Sequence, residues 1–152
     1  MRSGTLLLIA TLALAGASSG CSTIIRSIVG SRSDADVPDD KDFERILTHD
    51  LTEYMTDKSD EDIKVTYEML RDGPTQSGVA LPKFYIWIEK RSADGTLIED
   101  AAARIAAVGK THFDIVQYYD RERIKKEPDL IKKVFPAEVS EKIFNKVGLN
   151  EK

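Results

Sequence analysis

Two histidines and a handful of neighbouring carboxylates are the residues with which this chain could do chemistry. His49 is followed one helical turn later by Glu53, and His112 stands two residues before Asp114. A histidine beside a carboxylate can act as a general acid or base, and a histidine–carboxylate set can hold zinc. Neither histidine lies in HExxH or another ligand spacing, so both read as solvated side chains and no metal is expected. The clusters Asp60/Glu61/Asp62 and Glu99/Asp100 lack the separated, unequal environments of a glycosidase pair. Residues 57–62 lack the Gly and the terminal Glu of a calcium loop. Gly109-Lys110-Thr111 ends like a phosphate-binding loop, but Arg104 occupies the position of the motif's first glycine. Gly16-Ala17-Ser18-Ser19-Gly20 fits Gly-x-Ser-x-Gly, yet it sits in an N-terminal leader rather than at a strand-to-helix elbow. The expectation is a non-enzyme without cofactors. The enzymatic alternative, a hydrolase using His112 with Asp114, requires those side chains to converge in a cleft.

The chain has 152 residues, 41% of them hydrophobic and 32% charged, which suits one folded domain rather than a disordered chain. A net charge of −4 argues against a nucleic-acid partner. Cys21 is the only cysteine, which excludes an internal disulfide and a multi-thiolate metal site. Charge is unevenly spread: residues 34–72 carry 14 acidic and 5 basic side chains, residues 120–152 carry 9 basic and 7 acidic. A field polarised in this way can orient a partner.

The first 20 residues read as an address. Arg2 is followed by an apolar run at 5–15 (TLLLIATLALA), shorter than the ~20 residues of a membrane-spanning helix but suited to a secretory signal. Small residues then lead to Cys21. This stretch resembles the signal peptide of bacterial lipoproteins, with Ser18-Ser19-Gly20-Cys21 in the place of the lipobox. Ser18 departs from the Leu, Ile or Val usual in that family, and Ala15-Gly16-Ala17 offers the alternative of ordinary signal-peptidase cleavage. The resemblance implies acylation of Cys21 as the mature N-terminus and anchoring to the membrane through the acyl chains. With Ser22 next, it implies the periplasmic face of the outer membrane. The expected organisation is a signal peptide at 1–20, an acylated N-terminus and flexible tether at 21–40, and one domain at 41–152.

What positions the remaining side chains is an α+β domain. Phe43, Ile46, Leu47, Leu51, Tyr54 and Met55 recur at helical spacing, predicting a helix from about Asp40 to Thr56 with Asp39 or Asp40 as cap. Ile63, Val65, Tyr67 and Met69 alternate with polar residues and predict a strand. Residues 83–91 (KFYIWIEKR) are apolar on both faces and predict a central strand. Residues 97–108 (LIEDAAARIAAV) are ambiguous: alanine favours helix, whereas the Asp94-Gly95 turn before them favours a returning strand, and strand is preferred. Residues 111–119 predict a further strand. Asp120, Pro128, Pro136 and Gly148 punctuate short C-terminal helices. The predicted whole is a helix packed on an antiparallel sheet of three to four strands, similar in element order to cystatin-like and NTF2-like folds.

The functional expectation is a non-catalytic lipoprotein of the cell envelope that binds a protein partner. The alternative is a periplasmic carrier or sensor of a small ligand, with an aromatic-lined pocket at a candidate binding face of Tyr85, Trp87 and Tyr118, although cover by the C-terminal helices is the preferred reading of the Tyr85/Trp87 face.

Overall fold

The computed structural model describes residues 35–56, 62–75 and 80–149. Cys21, the leader and most of the tether lie outside the described residues. Helix α1 (Asp40–Met55) is followed by strands β1 (Lys64–Met69), β2 (Lys83–Arg91), β3 (Leu97–Val108) and β4 (His112–Asp120). Three short helices follow among the described residues: α2 (Arg121–Lys126), α3 (Pro128–Val134) and α4 (Ala137–Val147). The strands pair antiparallel in sequence order, β1-β2-β3-β4. Among the described residues no helix is long and apolar enough to cross a membrane.

Helix α1 forms where the 3–4 periodicity predicts it. Its start differs in detail: Asp39 is at the N-cap, but its side chain makes no capping bond. The Asp39 backbone carbonyl instead accepts from the N–H groups of Asp42 and Phe43 at 2.8 and 2.9 Å. Asp120 does cap, its Oδ1 accepting from the Arg123 N–H at 2.7 Å. Pro128 sits in the first turn of α3, where a missing N–H costs nothing. Gly148 ends α4 at φ 78°, a left-handed conformation that favours glycine. In the β2–β3 turn, hydrogen bonds from Ser92 and Thr96 hold the Asp94 carboxyl down at about 2.

The sheet separates two apolar layers. Leu47, Leu51 and Met55 of α1 pack on Phe84, Ile86, Ile88, Ile105 and Phe113. Phe43 meets Phe84 and Phe113 edge to face, with centroids 5.2 and 5.0 Å apart. On the opposite face Tyr85, Trp87 and Tyr119 pack under Ile124, Ile131, Phe135, Ile143 and Phe144 of the C-terminal helices.

Residues 97–108 are a strand, and the reason is visible across the sheet. In register, Trp87 faces Ala102, which faces Tyr119; Ile86 faces Ala103, which faces Tyr118. A central strand covered on both faces needs small side chains between large ones, and this packing outweighs alanine's helix propensity. Ala103→Leu places a branched side chain between Ile86 and Tyr118 at a fully buried position. Overpacking of this kind costs about 1–3 kcal/mol; urea denaturation is expected to show a lower midpoint with an unchanged slope.

Strand β4 carries one extra residue. Arg104 pairs with Gln117 and Ile105 with Ile115, leaving Val116 as a bulge. A bulge shifts the alternation of faces by one. Phe113, Ile115 and Tyr118 therefore all lie on the α1 side, and Tyr119 on the other.

Candidate functional site

The three aromatic residues expected to form one binding face do not share one. Tyr85 and Trp87 are together, but the C-terminal helices cover them and both are buried. Uninterrupted alternation from Phe113 would set Tyr118 beside them; the Val116 bulge turns it to the α1 side instead. The Tyr85 ring packs against Phe135 at 5.8 Å, and its hydroxyl is 3.1 Å from Thr75 Oγ1. The recess bordered by Thr66, Glu68, Trp87 and Glu89 measures about 190 Å³, below the roughly 300–1,000 Å³ of small-molecule sites.

Trp87 is gripped by charge rather than exposed. The Arg121 guanidinium and the Lys146 ammonium each lie 5.7 Å from its ring centroid. Arg121 binds the buried Asp100 carboxylate through Nε and Nη2, and its Nη1 donates to the Lys146 carbonyl at 3.0 Å. Hydrogen bonding to Asp100 is the main reason that the guanidinium is held above its ordinary pKa. Lys146 donates to Glu68 at 2.6 Å, and Lys142 to the Leu70 carbonyl at 2.7 Å. These bonds fix α4 to β1 and the segment after it.

On the α1 side, the Tyr118 hydroxyl donates to Glu99 at 2.6 Å, and the exposed Tyr54 lies against its ring. Burial, reinforced by donation to Glu99, pushes the Tyr118 phenol far above its ordinary range. A phenol with a raised folded pKa adds stability that is complete below the unfolded value of about 10 and is lost as pH rises beyond it. Unfolding titrations from pH 8 to 12 are expected to show this decline above pH 10, and Tyr118→Phe is expected to flatten it.

A second concavity lies where α1 overhangs the terminal strand β4. It is a groove of about 320 Å³ lined by Asp50, Glu53, Tyr54, His112, Phe113, Asp114 and Ile115. Asp50 holds the overhang in place: its Oδ2 accepts from the Phe113 N–H at 2.7 Å, across 63 residues of sequence. Its Oδ1 is 3.1 Å from His49 Nδ1. His49, Asp50 and Glu53 bring one potential ligand atom each within 4.8 Å of one another. His112 Nε2 is 3.6 Å from Asp114 Oδ1, with side chains 49% and 61% exposed. That pair meets as its spacing predicts, on the exposed border of this groove rather than in an enclosed cleft. Asp50 is the residue that reading along the sequence overlooked. Its signal was present in Glu53, which follows Asp50 by three residues and His49 by four, the spacings of neighbours on one helix surface.

No family model matches the chain, and neither a curated protein nor a solved structure matches it.

Proposed function

We propose that this protein is a lipid-anchored lipoprotein of the cell envelope, held to the periplasmic face of the outer membrane through Cys21. Its domain acts there as a non-catalytic protein-interaction module within an envelope assembly. The observation that carries the domain's role is that its own helices fill both faces of the sheet. Tyr85 and Trp87, the aromatic residues best suited to line a pocket, are part of a packed core. Recognition then falls to the outer surface. That surface includes the terminal strand β4 with the exposed Val116, and the exposed Tyr54 on α1. The acidic N-terminal half adds a field suited to steering a complementary partner.

The test is in-cell crosslinking of the full-length protein, capture from its own membranes and mass spectrometry, beside a Cys21→Ser variant. One abundant envelope protein recovered only with the anchored form is the expected result. Recovery without a specific partner, or equal recovery from the variant, overturns the reading and directs the search to bound small molecules.

A further inference from the structure

We propose that His49, Asp50 and Glu53 form a site for a divalent transition-metal ion, with Zn²⁺ as the ion that fits its donors. The site occupies the α1 surface beside β4 and is independent of any protein partner. It offers one imidazole nitrogen and two carboxylate oxygens, all within 4.8 Å of one another. Ligands about 2.0–2.2 Å from a shared zinc ion stand roughly 3–4 Å apart. His49 and Glu53 are exposed, so the closure needed for binding is asked of side-chain rotation alone.

Asp50 separates this cluster from a set of freely rotating surface groups. It is half-buried, and the Phe113 N–H fixes one of its oxygens, leaving the other turned towards His49. A main-chain donor that orients a carboxylate in this way reduces the entropy lost on binding, as the outer partners of metal ligands do. The adjoining groove leaves space for the water that completes a three-ligand zinc site. Two carboxylates offset the charge of a divalent ion, and the imidazole selects a transition metal over magnesium or calcium, which prefer oxygen alone.

The full-length protein in detergent, freed of metal by a chelator, is titrated with ZnCl2 by calorimetry and by NMR of the imidazole nitrogens. One equivalent is expected to bind and to shift the His49 ring resonances, with MgCl2 at the same concentrations producing no response. His49→Ala and Glu53→Gln change exposed side chains, and the metal-free variants are expected to melt as the parent does. Each is expected to weaken zinc binding at least about 10-fold. The proposal is overturned by non-saturating binding, by equal affinity in parent and His49→Ala, or by a response confined to His112.

Discussion

Arg121→Met is expected to destabilise the domain by about 3–5 kcal/mol, the cost of leaving one buried partner of an ion pair uncompensated. The Asp100 side chain is only 4% exposed, and Arg121 is its guanidinium partner. Methionine keeps much of the aliphatic bulk over Trp87 but offers nothing to the carboxylate. It also releases the Lys146 carbonyl, and with it one tie between α2 and α4. Asp100→Asn is expected to cost less, roughly 1.5–3 kcal/mol, the range for hydrogen bonds to charged groups. The amide oxygen still accepts, and Arg121 at 34% side-chain exposure reaches water. Guanidinium denaturation of both variants measures the asymmetry. Equal losses, or a loss below 1 kcal/mol for Arg121→Met, would show that the pair does not hold the C-terminal helices to the sheet.

The second large effect is expected from Trp87→Ala, at about 3–5 kcal/mol for an aromatic ring removed from a packed core. Trp87 is 2% exposed, sits opposite Ala102 and carries Arg121 and Lys146 on its ring. As it is the chain's only tryptophan, its removal deletes the tryptophan fluorescence signal, and thermal unfolding is followed by circular dichroism. The measurement also separates the two views of this face. A side chain lining an open ligand cup loses little stability on truncation, whereas one filling a core loses several kcal/mol. A shift in midpoint of only one or two degrees would reopen the carrier reading.

Much of the fold follows from periodicity. The α1 stripe, the polar–apolar alternation of β1 and the two apolar faces of β2 are local patterns, and each forms the element it predicts. Pro128, Pro136 and Gly148 mark helix ends for equally local reasons. The candidate site was less legible. His112 and Asp114 are close because alternate residues share a strand face, which spacing alone provides. The position of Asp50 over the Phe113 N–H depends on how α1 crosses the sheet, and no short window of sequence contains both residues.

The sequence by itself determined the order of the elements and, apart from residues 97–108, their kinds. These depend on side-chain period, turn residues and composition within a few residues of one another. Tertiary structure decided three further points. It made 97–108 a strand, because alanines were needed between Trp87 and Tyr119 and between Ile86 and Tyr118. It turned Tyr118 away from Tyr85 and Trp87, because the Val116 bulge shifts the face of every residue beyond it. It also closed the aromatic face, because the apolar sides of the C-terminal helices required a surface on which to leave water. Each of these depends on contacts between distant parts of the chain, although the Asp94-Gly95 turn already favours the strand at 97–108.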